Sequence, residues 1–408
     1  MGLRESVAPE GYNSLADQVK ALAKALHPST VACRRHLHAH PELSFEEYRT
    51  SAFVKQELAQ IGLSFQEMAG TGIVAHLTGD VPSDKVVALR ADMDALPIQE
   101  VDGRPYGSQN PGVMHACGHD VHTSSLLATA KILKQLQSQL AGTVKFIFQP
   151  GEEKLPGGAS LMIKDGVLEN PRPQAVLGQH VMPSIETGKV GFRSGKYMAS
   201  TDELYFTVKG KGGHGAQPQN NIDPVLIAAH IIVALQQVIS RIGDPRMPSV
   251  LSIGKVEANG ATNVIPDEVK LEGTFRTFDE AWRAKAHERI REIATGLAEG
   301  MGGSCEVDIQ VGYPFLENAE ALTETIRQYA IEYLGREQVE ELDLWMAGED
   351  FAYYSQVTDA CFFRLGTGNK EKGITSAVHT STFDIDENAL ELGPGLMAYL
   401  ALRQLGAQ

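Results

Sequence analysis

Short runs of β-branched and aliphatic residues alternate with longer helical patterns through the first half of the chain. Val86-Val87-Ala88-Leu89, Val144-Lys145-Phe146-Ile147-Phe148 and Ala175-Val176-Leu177-Gly178 read as strands. Between the first two lies VHTSSLLATAKILKQLQSQL, with Leu126, Ala130, Leu133 and Leu136 at helical spacing. Asp120 is placed to cap that helix. Strands alternating with helices predict an α/β fold on a largely parallel sheet.

Near residue 195 the pattern changes. TDELYFTVKGKGG alternates like a strand with one wet face, and DPVLIAAHIIVALQQVISR follows as a helix started by Asp223 and Pro224. The strands MPSVLSIGKVEANG and DEVKLEGTFRTF come next, then the helix DEAWRAKAHERIREIATGLAEGM and the strand SCEVDIQVG. That order, β-α-β-β-α-β, is the ferredoxin-like unit. Residues 196–312 are therefore expected to be an inserted domain, with 1–195 and 313–408 forming the α/β domain around it. ALTETIRQYAIEYLG begins the return.

At 408 residues and 43% hydrophobic content the chain can bury a sizeable core. A formal net charge of −15 argues against nucleic acid and anionic membrane surfaces as partners. Cys33, Cys117, Cys305 and Cys361 form no CxxC pair, which fits a reducing, cytoplasmic compartment. The first residues show no apolar signal core, and no continuous apolar run reaches the roughly 18 residues of a membrane span. Gly2 and Ser6 match a loose myristoylation pattern, but no second anchoring signal is nearby.

The polar clusters RADMDALP, QPGEEKLPGG and QHVMP each follow one of the apolar strands. Ligands bind at the carboxyl ends of strands in open α/β sheets, so the three can converge. MHACGHDVH adds Cys117 and His119, two apart, which in an extended loop point the same way. A Cys/His pair beside carboxylates suits zinc or a similar transition metal. His115 and His122 are expected to pack or to support ligands. Glu152 and Glu153 are adjacent on a turn, so one can hold a cation while the other faces a reacting water and takes its proton. His180 and His379 could complete a ligand set. His36, His38 and His40 form a rival cluster, but His40 precedes Pro41 and reads as a helix end.

Taken together, RRHLHAHPELSFEE, LRADMDALPIQE, MHACGHDVHTSSLL, FQPGEEKLPGGA, GQHVMP, GKGGHGAQP, ATNVIPDEV, GTFRT, GEDFAYY and VHTSTFD lie between about residues 30 and 395. The chain thereby resembles the amidohydrolase branch of the aminoacylase and glutamate-carboxypeptidase metallopeptidases. That branch contains hippurate hydrolases, N-acetyl-diaminopimelate deacetylases and hydrolases of auxin–amino-acid conjugates. The resemblance implies a zinc-peptidase-like, mostly parallel sheet flanked by helices, with an inserted ferredoxin-like α+β lid and dimerisation domain. It implies two divalent ions, zinc before manganese or cobalt, held by Cys117, His119, Glu153, His180 and His379. Glu152 stands where the family has its general base, and Asp94 where a ligand is oriented from behind. Asp92 replaces a histidine ligand of other branches and is not counted as a ligand. His214 and Asn263 match polar contacts to the substrate carbonyl, and Arg276 is placed to bind an α-carboxylate.

The implied activity is hydrolysis of N-acyl amino acids by a homodimer. A dipeptidase of the same mechanism, a cysteine-nucleophile amidase using Cys117, and a metal-binding protein without turnover are the competing readings.

Overall fold

The computed structural model describes residues 14–101 and 103–407, so the Gly2–Ser6 pattern and the N-terminal signal region lie outside the described residues. The described residues cluster into two compact units. One comprises the chain up to Gly195, Glu317–Asp343 and the stretch from Tyr353 onward; the other comprises Lys196–Leu316 and Leu344–Ala352.

The first unit is built on an eight-stranded sheet. From edge to edge its strands are Phe65–Met68, Gly72–Thr78, Ala141–Gln149, Val81–Asp92, Ala175–Glu186, Asp359–Gly368, Val190–Phe192 and Val339–Glu341. Its middle pairings are parallel: Ala141–Gln149 with Val81–Asp92, Val81–Asp92 with Ala175–Glu186, and Ala175–Glu186 with Asp359–Gly368. Antiparallel pairings occur nearer the edges. The helices Leu15–Ala39, His119–Gln135 and Ala389–Leu405 pack against one another, and their apolar sides join Val87, Leu89, Phe146 and Phe148 in one core. Each such fully buried aliphatic or aromatic side chain contributes ~1.5–3 kcal/mol.

Two strands run further than their apolar runs predict. Val81–Asp92 continues through Arg90 and Asp92, both buried and paired to each other at 2.6 Å. Ala175–Glu186 continues through His180. Arg90 and Asp92 satisfy each other at the end of the first, and Gln179 and His180 interrupt the apolar run of the second, so the hydrophobic signal stops before the strand pairing does.

The helix start also differs from the expectation. It runs His119–Gln135 with Gly118 as its N-cap, and Asp120 makes no capping bond. Asp120 instead accepts from Arg34 Nε at 2.7 Å and pairs with His38 Nδ1 at 2.8 Å. A buried cation is a better partner for a buried carboxylate than a free amide. The helix Leu15–Ala39 ends at His40, as the following proline predicts.

The second unit carries a four-stranded antiparallel sheet in the order Ser249–Glu257, Glu268–Thr277, Asp202–Lys209, Ser304–Val311. With the helices Pro224–Gln237 and Glu280–Gly300 packed on it, the chain order is β-α-β-β-α-β. In Asp202–Lys209, Leu204, Phe206 and Val208 point into the core, and intervening side chains are exposed or half-buried. Asp223 accepts from the amides of Val225 and Leu226 and starts the first helix.

The helical stretch Pro224–Ile242 spans 19 residues at mean hydropathy 1.8, enough by length and composition to cross a bilayer. No unbroken apolar run reveals it, because His230, Gln236 and Gln237 interrupt it. Ile227, Ala228, Ile231 and Leu235 pack it onto the sheet, while Val225, Leu226 and Val233 stay exposed.

A buried ion cluster sits where this unit's sheet begins. Asp202 accepts from Arg283 Nη2 and pairs with His287 Nε2, each at 2.7 Å, and Arg283 Nη2 also donates to the carbonyls of Thr201 and Gly312. Burial raises the Asp202 pKa, but His287 and Arg283 lower it more, and the net shift is downward. A depressed carboxyl pKa gives stability that is present above the unfolded value and is lost as pH falls through the folded one. Asp202→Asn is therefore expected to cost about 3 kcal/mol or more at neutral pH. The cost should shrink as pH falls below the ordinary aspartate value and through the lower folded one. Denaturant unfolding of both proteins across pH checks this, and a pH-independent difference contradicts it.

Candidate metal centre

Cys117 lies in the loop that ends at Gly118, and the geometry of that glycine decides where the sulfur points. Gly118 has φ +83°, and a Cβ there would lie 2.5 Å from Val181 Cγ2. Only glycine turns the chain so sharply against this strand. His119 follows as the first helical residue, so Cys117 and His119 converge across a left-handed turn rather than along an extended loop.

His180 projects from the strand Ala175–Glu186, and its Nε2 lies 3.4 Å from Cys117 Sγ. Its Nδ1 lies 2.8 Å from the carbonyl of Val181, which needs a donor and so fixes the proton on Nδ1. His379 comes from a loop near the C-terminus. Its Nε2 lies 3.3 Å from Cys117 Sγ and 3.2 Å from Glu153 Oε1. The backbone of His379 is left-handed, φ +61°, and its N–H donates to the carbonyl of Ala116 at 2.7 Å. Non-glycine residues held there are strained, and such strain gathers at functional sites.

Glu152 and Glu153 follow the strand Ala141–Gln149 on a tight turn. Glu152 is buried and Glu153 half-buried. The donor atoms of His119, Glu152 and Glu153 lie within 4.8 Å of one another, as do those of Cys117, His119 and His180, and those of Cys117, Glu153 and His379. The expected ligand residues are thus gathered in one place, with the Cys117 sulfur common to two sets.

Behind this shell stand two carboxylates. Asp94 Oδ1 lies 3.1 Å from His119 Nδ1, and Asp94 Oδ2 accepts from Ser44 Oγ at 2.6 Å and from the Glu153 amide at 2.9 Å. Asp94 thereby fixes the His119 proton on Nδ1 and turns Nε2 inward. Asp92 is bound by Arg90 Nη1 and His122 Nδ1, each at 2.6 Å, and His122 Nε2 accepts from the Val181 amide at 2.9 Å. His122 therefore supports the strand that carries His180. His122 was expected to pack or to support a ligand, and Asp92 was set apart as a non-ligand; Ser44 and the bond between Asp92 and His122 have no signal in the local pattern. His115 is fully buried, and among the described residues neither of its ring nitrogens has a hydrogen-bond partner.

Two polar atoms aimed at the centre, His119 Nε2 and Glu153 Oε1, lie 3.9 Å apart and are buried without a hydrogen bond among the described residues, the second with His379 Nε2 at 3.2 Å as an ion-pair neighbour. An orphaned imidazole nitrogen and carboxylate oxygen beside a thiol fit a transition-metal ion and are costly otherwise. The electrostatics agree. Burial lowers the His119 pKa, but Asp92 and Asp94 raise it, to about 10 overall. That upward pull marks surplus negative charge. His180 is pushed well down by burial and by Arg364, so it stays neutral with a lone pair free. Burial, then Glu153 and Glu152, push the Cys117 thiol well up. The thiol must lose its proton to serve either as a nucleophile or as a metal ligand, and a cation held there would favour that loss.

In the second unit His214 and Asn263 are neighbours. Val264 pairs with His214 across a two-stranded ribbon, and the Gly215 amide donates to the Asn263 carbonyl at 2.9 Å. Both side chains are exposed. Arg276 lies on the strand Glu268–Thr277 and is half-buried; its Nε donates to Thr274 Oγ1 at 3.1 Å. Burial lowers its pKa against the pull of Asp202 and Glu203.

A family model described as peptidase family M20/M25/M40 matches residues 88–403. The N-acyl-L-amino acid amidohydrolase of Geobacillus stearothermophilus is 44% identical over 298 residues, covering 73% of this chain and 80% of that protein. The N-acetyl-L-cysteine deacetylase of Bacillus subtilis is 40% identical over 366 residues, covering 90% and 85% respectively. Among solved structures, the Bacillus subtilis YXEP protein, described as a dinuclear metal binding peptidase from the M20 family, is 36% identical. That match covers 94% of this chain and 100% of that one at a TM-score of 0.80.

Proposed function

Since the chain belongs to the peptidase family M20/M25/M40, whose members hydrolyse amide bonds, we propose that it is a metal-dependent amidohydrolase of N-acyl amino acids. The observation that carries this reading is the Cys117 sulfur shared by two donor sets, with Glu152 beside them. Cys117, His119, Glu153, His180 and His379 would hold two divalent ions, zinc before manganese or cobalt. Ions there supply a Lewis acid for the scissile carbonyl and make water a better nucleophile near neutral pH.

The protein's own groups do the rest. Glu152 takes the proton of the attacking water and delivers it to the departing amine nitrogen as the C–N bond breaks. The products are a carboxylic acid and a free amino acid. Asp94 keeps His119 Nε2 aimed at the cation. His214 and Asn263 are assigned to the carbonyl oxygen as charge develops on it; a preorganised donor of that kind contributes about 2.7–4 kcal/mol. Arg276 is assigned to the substrate carboxylate, a role that suits a half-buried guanidinium with Thr274 as its hydrogen-bond partner.

We assign residues 1–195 and 313–408 to the catalytic domain and 196–312 to a lid through which two chains pair. The exposed Val225, Leu226 and Val233 and the edge strand Ser249–Glu257 support a homodimer. Four free, buried cysteines support a cytoplasmic setting, and the charge of −15 supports a small-molecule substrate rather than nucleic acid or membrane.

The test is a metal-reconstituted screen of acetyl-, benzoyl- and longer acyl-amino acids beside simple dipeptides. Turnover of N-acyl amino acids is expected. Preference for dipeptides moves the assignment to a dipeptidase, and no cleavage by metal-loaded protein removes it.

A further inference from the structure

Glu47 occupies the position before the helix Tyr48–Ile61, where a side chain usually folds back to cap free amides. It makes no such bond. Its carboxylate is fully buried and turned elsewhere. Oε1 accepts from the amides of Phe45 and Gly151, both at 2.8 Å, and Oε2 accepts from Thr71 Oγ1 at 2.6 Å. Burial pushes its pKa up. A buried carboxylate served by three neutral donors is expensive to keep, so its contacts identify what it is for.

Gly151 immediately precedes Glu152. Its φ is +57° and that of Phe45 is +67°, so a single carboxylate oxygen pins two left-handed residues. The Phe45 ring lies against Gly151 so closely that a Cβ there would meet it at 2.3 Å. The turn is held from its other side too. The Glu153 amide donates to Asp94 Oδ2, and Ser44 Oγ donates to the same oxygen. Both holds lead back to one short segment, Ser44–Glu47.

We propose that Glu47 is a positioning residue for Glu152: with Asp94 it clamps the amides on either side, so that Glu152 is presented in one orientation. The inference rests on the reading of Glu152 as the base. Ser44 and Asp94 tie the same segment to His119, so base and metal ligand share one mechanical frame.

Glu47→Gln keeps the shape but replaces one acceptor oxygen with an amide that donates. kcat is expected to fall about 10- to 100-fold. KM and bound-metal content should stay within about twofold, because ground-state binding is untouched. The acid limb of the kcat–pH profile should shift, since the environment of Glu152 changes. Amide exchange over residues 149–153 should speed up in metal-free protein as well, a readout independent of turnover.

Gly151→Ala drives a methyl group into the Phe45 ring and should give the same split; it carries the test if Glu47→Gln does not fold. Variants with wild-type kcat, pH profile and exchange at wild-type metal content overturn the proposal, as does a change confined to KM. Glu152→Gln is assayed alongside. If that variant turns over normally, the base reading fails whatever Glu47 does. If it is inactive while both positioning variants behave as wild type, only the positioning claim fails.

Discussion

Glu152→Gln is expected to retain its metal and lose about a thousandfold in kcat, within the range that a positioned general base supplies. The side chain is buried beside the donor atoms of His119 and Glu153, so the replacement keeps volume and polarity where both matter. Glutamine can still hydrogen-bond, but it has no carboxylate to take a proton from water or return one to the amine. Metal content, thermal midpoint and kcat measured on the same preparation separate this from a folding defect. Wild-type turnover at full metal content would remove Glu152 from the proton path.

Stripping the metal should have a comparable effect by a different route. Dialysis against a chelator is expected to bring turnover to background, and added zinc, manganese or cobalt to restore it. Cys117→Ala should lower affinity at both donor sets by more than the roughly 10- to 100-fold that follows loss of a group behind a ligand. The sulfur contacts His180 on one side and His379 on the other, so no remaining side chain takes its place. A thiol nucleophile predicts the opposite chelator result, with activity surviving metal removal. Alkylation discriminates poorly, because it destroys ligand and nucleophile alike.

Much of this was legible in the sequence. The second unit's order of strands and helices could be read off because its strands alternate cleanly, as Leu204, Phe206 and Val208 do. The candidate ligands were legible by another route: spacing pointed to Cys117 with His119 and to the Glu152–Glu153 turn, and only the family resemblance of their motifs added His180 and His379 to the set. The less visible parts are long-range. Nothing near Ser44 or Glu47 reveals that they hold Asp94 and Gly151, because the contacts form only when residues 50 and 104 positions apart are folded together. Asp120 misled for the same reason. An acidic residue at a helix start usually caps, and Arg34, 86 positions away, claimed it. His180 seemed to lie past its strand because Gln179 and His180 break the apolar run while the backbone pairing continues beyond them.

The ends of the inserted segment meet. The Thr201 amide donates to the Tyr313 carbonyl at 2.9 Å and the Gly312 amide to the Thr201 carbonyl at 2.8 Å, with Arg283 spanning both backbones. To the rest of the chain, more than a hundred residues therefore look like a loop already closed. A host pays almost no added entropy for whatever hangs beyond such a stitch. Insertions between Thr201 and Gly312 therefore add little closure cost to the chain outside them, whereas exchange of the whole unit would also involve Leu344–Ala352, which belongs to it.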